Sequence, residues 1–66
     1  MDVRPLPDVL QALRSAGGMS RVDVGRAVGR SGQAVRGWET GRTRPTPGSL
    51  RRLEAIFGLA PGRLSA

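Results

Sequence analysis

Serine and glycine residues divide the middle of this 66-residue chain into two short segments. Ser20 and Ser31 each precede apolar residues at helical spacing, and serine is favoured at a helix N-terminus because its hydroxyl accepts a hydrogen bond from the first turn. Gly29 and Gly41 follow the two segments, and glycine adopts the positive φ at which helices commonly end. The pattern predicts two short helices joined by a glycine-containing turn, which is typical of a helix-turn-helix.

Apolar residues at helical spacing also flank this middle stretch. Leu6, Leu10 and Leu13 predict one helix before it, and Thr46 followed by Pro47 is a strong start signal for another helix after it. No segment shows the alternation typical of a strand, so the sequence predicts an all-α fold. The predicted helices cover residues 7–16, 20–28, 31–39 and 47–57, and one last short turn follows them.

A chain of 66 residues is long enough for one domain with a small core. Pro5 and Pro7 disfavour regular structure, so we expect residues 1–6 to form an extended N-terminal arm and residues 7–66 to form the domain. No apolar run approaches the ~20 residues of a membrane span, and the N-terminus lacks a signal-peptide pattern. We therefore expect a soluble cytoplasmic protein with no membrane partner.

The residue types present exclude several kinds of site. The chain contains no histidine and no cysteine, which excludes a serine–histidine triad and a zinc site with histidine or thiolate ligands. Its five carboxylates show no spacing that favours a catalytic pair. The sequence therefore predicts no enzyme activity, no cofactor, no metal and no small-molecule ligand.

The charge is concentrated in the middle of the chain. All 11 basic residues are arginines, and residues 21–52 hold eight of them against two carboxylates, which accounts for the whole net charge of +6. Such a cluster is either a solvated surface or a patch that faces phosphates. The concentration of arginines in one stretch favours the phosphate-facing patch, because arginine makes bidentate hydrogen bonds to phosphate oxygens and to guanine.

The third predicted helix has two distinct faces. Val35 and Trp38 fall on the inward face, at a spacing of three residues. The outward face, which would enter a DNA major groove, comprises Gly32, Gln33, Arg36 and Gly37. Gln33 can make a bidentate contact with adenine and Arg36 with guanine. The two glycines cost about 0.5–1 kcal/mol each in a helix, so either they bring the backbone close to DNA or they read no base.

The middle and the end of the chain resemble a known family. The run G-M-S-R-V-D-V-G-R-A-V-G-R-S-G-Q-A-V-R-G-W-E-T-G resembles the helix-turn-helix of the Cro and phage-repressor type, also called the XRE family. The run R-P-T-P-G-S-L-R-R-L-E-A-I-F-G-L-A-P-G-R-L resembles the fourth and fifth helices of that family. The residues in register within 7–64 are Leu10, Leu13, Arg14, Gly18, Ser20, Gly29, Ser31, Val35, Trp38, Glu39, Gly41, Pro45, Pro47, Leu53 and Gly58.

The resemblance implies a compact five-helix, lambda-repressor-like DNA-binding domain. It implies that Arg14 pairs with Glu39 and ties the first helix to the end of the third. It also implies that Gly32, Gln33, Arg36 and Gly37 read bases. The residues expected to contact phosphates are Ser20, Arg21, Arg30, Ser31, Thr40, Arg42, Thr43 and Arg44.

Four positions depart from the pattern of the family. Arg21 stands where the family usually has glutamine, which favours a stronger and less directional phosphate contact. Gly25 replaces the usual alanine, which suits close helix packing but weakens the second helix. Gly32 lacks a side chain at a position that often reads a base, and Arg30 replaces an apolar residue, so we expect Arg30 to be exposed.

These observations predict a sequence-specific DNA-binding transcription regulator, a small Cro-like repressor of phage or bacterial origin that acts by operator occlusion. Its partner is the major groove of double-stranded DNA, and its location is the nucleoid of a bacterial host cell. We expect a monomer that pairs only on DNA or a weak homodimer. The candidate residues for a dimer interface are Phe57, Leu59, Ala60 and Leu64. For Phe57 and Leu59 the favoured interpretation is that they close the core. The alternative is a protein-interaction module on the same fold, antitoxin-like or an antirepressor, with only non-specific DNA affinity.

Overall fold

Four α-helices make up the regular structure of residues 5–64, which are the residues that the computed structural model describes. The helices are α1 (Leu6–Ala16), α2 (Arg21–Val28), α3 (Gly32–Glu39) and α4 (Pro47–Ile56). Within the described residues there is no strand, which confirms the all-α prediction. All four predicted helices are present, and each end lies within one residue of its predicted place.

The expected fifth helix is wrong for the described part of the chain. Residues 61–64 form a turn, in which the Arg63 amide donates to the Ala60 carbonyl at 3.1 Å. Gly62 has a φ of +88°, and a right-handed helix cannot continue through that conformation. The expected arm lies mostly outside the described residues, and its last member, Leu6, belongs to α1.

Side-chain caps begin three of the helices, as the serine and threonine positions predict. The Ser20 hydroxyl accepts from the Asp23 amide at 3.0 Å, and the Asp23 carboxylate accepts from the Ser20 amide at 3.0 Å. These two hydrogen bonds form a capping box, and the one from the Ser20 amide to the carboxylate is the main cause that lowers the pKa of Asp23. Ser31 caps α3 through the Ala34 amide, and Thr46 caps α4. The local sequence therefore fixes where these helices begin.

A single apolar core joins the four helices. Its buried members are Leu10, Val24, Val28, Val35, Trp38, Leu50 and Leu53. Phe57 and Leu64 are partly buried and pack against this core, whereas Leu59 is half-buried and Ala60 is exposed. Phe57 therefore closes the core, as the sequence favours, and Leu64 does the same. The core role that the sequence also favours for Leu59 is not found, because Leu59 is not among the residues packed against the core.

The turn between α2 and α3 is tighter than an alanine at position 25 would allow. A Cβ on Gly25 would lie 2.6 Å from the Arg30 carbonyl oxygen and 2.8 Å from the Ser31 carbonyl carbon. The Arg30 amide donates to the Gly25 carbonyl at 2.7 Å, and Gly29 takes a φ of +74° between them. The sequence predicts close helix packing at Gly25. The structure adds that the missing side chain sets the distance between α2 and α3.

Candidate nucleic-acid interface

A buried carboxylate anchors the end of α3. The Glu39 side chain is only 1% exposed, and Arg14 Nε donates to its Oε2 at 2.6 Å while Arg14 Nη2 donates to Oε1 at 3.2 Å. Arg14 Nη1 also donates to the Met19 carbonyl at 3.0 Å. The hydrogen bond to Glu39 raises the pKa of Arg14 above its ordinary value. The structure thus contains the ion pair that the family resemblance implies, and this pair holds α1 and α3 together.

A second arginine shares that carboxylate. Arg21 Nε donates to Glu39 Oε1 at 3.1 Å, and the Arg21 side chain is 40% exposed. Sequence reasoning assigned Arg21 to phosphate and missed this contact, because Arg21 and Glu39 are 18 residues apart. The carboxylate holds one edge of the guanidinium, so the part of Arg21 that reaches solvent is fixed at the start of α2.

The exposed outer surface of α3 and the loop that follows it form what we call the α3 face. One shallow groove on this face is lined by Gln33, Arg36, Gly37, Thr40 and Arg42. A neighbouring groove shares three of these residues and extends to Arg30, Ser31, Thr43 and Arg44. Most of the side chains predicted to contact DNA therefore lie on one continuous surface, and both Gln33 and Arg36 are exposed there.

The loop after α3 folds back onto the helix through one carbonyl. The Gly37 carbonyl accepts from the Arg42 amide at 2.9 Å, the Thr43 amide at 3.2 Å and the Thr40 hydroxyl at 3.3 Å. Gly41 makes this return with a φ of +77°. Arg42 and Thr43 are thus placed beside α3 by backbone hydrogen bonds, although their side chains are exposed.

The two glycines of α3 are half-buried, and each lies close to another part of the protein. A Cβ on Gly37 would lie 2.7 Å from the Thr43 hydroxyl, and a Cβ on Gly32 would lie 3.0 Å from Val22 Cγ2. The sequence left two explanations for these glycines, close approach to DNA or no role in base reading. The structure supplies a third, because each glycine makes room for a contact within the chain.

Arg30 is exposed, as its place in the sequence predicts, but it also covers the core. Its guanidinium carbon lies 5.8 Å from the centroid of the buried Trp38 ring. An exposed cation–π contact of this kind contributes about 0.5–1 kcal/mol. Arg30 therefore brings a positive charge to the edge of the α3 face while it shields the tryptophan.

Two charged residues of α4, Arg52 and Glu54, make contacts that the sequence does not predict. Arg52 Nη1 donates to the Val28 carbonyl at the end of α2, at 3.1 Å. Glu54 is 2% exposed and accepts from the Gly62 amide at 3.0 Å and the Leu64 amide at 2.7 Å, which holds the last turn against the core. No sequence signal marks either contact, because a charged residue on a helix is more often solvated.

Residues 5–64 contain neither a candidate membrane span nor a candidate metal site. None of the four helices is long and apolar enough to cross a membrane. No group of three or more aspartate or glutamate side chains is clustered so that it could hold a metal ion within residues 5–64.

Comparison with known proteins gives two matches of different kinds. A family model described as a helix-turn-helix domain matches residues 6–66. Among solved structures, the P22 c2 repressor protein, crystallised in complex with synthetic operator 9T in the presence of Tl⁺, matches with a TM-score of 0.86. That match covers 94% of each chain at 24% sequence identity, so it shows a shared fold. No curated protein sequence matches the chain.

Proposed function

Because this chain belongs to the helix-turn-helix domain family, we propose that it is a sequence-specific DNA-binding transcription regulator. In this proposal it is a small repressor of phage or bacterial origin, which acts by covering an operator so that polymerase or a competing regulator cannot bind. The P22 c2 repressor, whose fold it shares, was crystallised with a synthetic operator. The proposal places the protein in a bacterial cytoplasm, bound to the nucleoid.

The observation that carries the proposal is the composition of the α3 face. Gln33 and Arg36 lie exposed in one groove together with Arg42. An amide and a guanidinium are the side-chain groups that make bidentate contacts with adenine and guanine in the major groove. Arg30 and Arg44 extend the positive charge to the edge of the same surface, where phosphates would flank a groove. The α3 face thus combines two side chains suited to base contacts with arginines at its edge that are suited to phosphate contacts.

The remaining residues of the predicted site fit phosphate contacts to different degrees. The hydroxyls of Ser20 and Ser31 accept cap hydrogen bonds and keep their own proton to donate. The Thr40 hydroxyl already donates a long hydrogen bond, 3.3 Å, to the Gly37 carbonyl. This hydrogen bond would have to break before the hydroxyl could donate to a phosphate. Arg21 would bind phosphate through the part of its guanidinium that Glu39 does not hold. Arg42 and Arg44 are the strongest candidates, since both are exposed.

The same surface disfavours a protein-interaction module. Within residues 5–64, Val22 is the one large hydrophobic residue that is exposed, at 53%. A docking surface for another protein would more often present a contiguous apolar patch. One copy of a helix-turn-helix domain covers half of a two-fold site, so we propose that two copies pair on a palindromic operator.

Selection of bound duplexes from a random pool, at ~150 mM salt so that non-specific binding is suppressed, tests this proposal. We expect a two-fold-symmetric motif to be enriched. Gln33→Ala and Arg36→Ala should each relax discrimination at one base pair by roughly 1–3 kcal/mol. Arg63→Ala removes an exposed arginine from the C-terminal turn and serves as the matched control that keeps the motif.

Each other outcome has a defined meaning. An asymmetric enriched motif would retain the base-reading assignment and replace the paired form with a monomer. Absence of enrichment, with binding that disappears as salt rises, would refute sequence-specific recognition. Equal weakening of all sequences by Gln33→Ala and Arg36→Ala would remove these two residues from the base-reading set.

A further inference from the structure

Val22 lies at the start of α2 with more than half of its side chain in solvent. An isolated exposed valine is ordinary on a protein surface and needs no explanation. What distinguishes Val22 is its place beside Gly32, the first residue of the helix that carries Gln33 and Arg36.

The side chain of Val22 occupies the space that a side chain at position 32 would need. A Cβ built on Gly32 would lie 3.0 Å from Val22 Cγ2 and 3.3 Å from the Val22 amide nitrogen. Gly32 is the first residue of α3, and it immediately precedes Gln33. The glycine thus leaves a gap in the predicted base-reading surface, and a branched apolar side chain from α2 stands beside that gap.

This arrangement places a large exposed apolar side chain at the start of α3, where Gly32 has no side chain. The side chains of the groove that Gln33 and Arg36 line are amide, guanidinium and hydroxyl groups. The major-groove edge of DNA carries one apolar group, the C5 methyl of thymine, and the side chains that contact it are apolar. Contact between that methyl and the Val22 side chain would remove apolar surface of both groups from water.

We propose that Val22 reads the C5 methyl group of a thymine in the operator, in place of the missing side chain at position 32. The inference rests on the proposed function, since it assumes that α3 enters the major groove. It makes Val22 a specificity-determining residue and predicts a thymine at a fixed position in each half-site. It also accounts for the glycine at position 32, because a larger residue there would displace Val22.

The test compares thymine with uracil, which keeps the same base pairing and lacks only the C5 methyl. In the duplex enriched by selection, each thymine is replaced in turn by uracil, and binding of the wild-type protein and of Val22→Ala is measured. Burial of one methyl group corresponds to about a fourfold change in affinity. We expect one thymine per half-site at which uracil weakens wild-type binding about fourfold and leaves Val22→Ala binding unchanged.

Control measurements separate a reading role from a structural one. Because Val22 is largely exposed, a thermal melt of Val22→Ala should lie close to the wild-type melt. Equal uracil effects in the two proteins at every thymine would overturn the inference and leave the proposed function intact. Failure of the wild-type protein to enrich any duplex would overturn the proposed function, and the inference with it.

Discussion

Replacement of Gly25 by alanine tests the packing of α2 against α3. In an unobstructed helix, alanine is favoured over glycine by about 0.8–1.0 kcal/mol. At Gly25 the new Cβ would lie 2.6 Å from the Arg30 carbonyl oxygen and 2.8 and 2.9 Å from the carbonyl carbon and oxygen of Ser31, whereas ordinary contacts begin at 3.4 Å. All three neighbours are backbone atoms, so the start of α3 must move to relieve the contact.

The expected net effect is a loss of stability. Overpacking costs about 1–3 kcal/mol, and three backbone contacts under 3.0 Å place this substitution in the upper part of that range, above the gain from helix propensity. We expect Gly25→Ala to lower the free energy of unfolding by about 1–2 kcal/mol, which for a domain of this size lowers the melting temperature by roughly 4–16 °C. Thermal melts followed by circular dichroism measure this change.

Gly48→Ala is the matched control, since it makes the same substitution within a helix. Gly48 lies in the first turn of α4, and a Cβ there would have no neighbour within 4 Å. We expect Gly48→Ala to leave the melting temperature unchanged or to raise it slightly. If Gly25→Ala proved as stable as the wild type, the reasoning that a backbone contact at position 25 sets the spacing of α2 and α3 would be refuted.

Three further changes probe the ion pair, the loop and the first cap. Arg14→Ala removes two of the three arginine hydrogen bonds to the buried Glu39 carboxylate and leaves only the one from Arg21, so it should lower unfolding free energy by about 3 kcal/mol in denaturant titrations; a loss below about 1 kcal/mol would contradict this. Arg42→Ala should reduce the slope of log affinity against log salt by about one, whereas Arg63→Ala should not, and an unchanged Arg42 slope would exclude its phosphate contact. Folding lowers the pKa of Asp23, so the ionised carboxylate should stabilise the folded protein relative to Asp23→Asn. This stabilisation should be full above about pH 3.8 and should be lost as the pH falls through the folded pKa of Asp23. A difference in melting temperature that does not change with pH would contradict the capping box.

The helices could be predicted from the sequence because their signals are local. Ser20 and Ser31 each cap a helix through an amide three residues ahead, and Gly29 supplies the left-handed conformation between them. The spacing that placed Val35 and Trp38 inward was also confirmed, since both are buried. Each of these features depends on residues within one or two turns. A local sequence pattern can therefore predict it without knowledge of the tertiary packing.

Long-range contacts decided the rest. Arg21 is shared with Glu39 across 18 residues, and Glu54 holds amides 8 and 10 residues further along the chain. No local pattern predicts these distances, because they depend on how the helices pack against one another. The same applies to Gly25 and Gly32, whose missing side chains look like weak points of a helix in the sequence. Only the packed structure shows that a neighbouring backbone or side chain occupies the space, because that space exists only once α2 lies against α3.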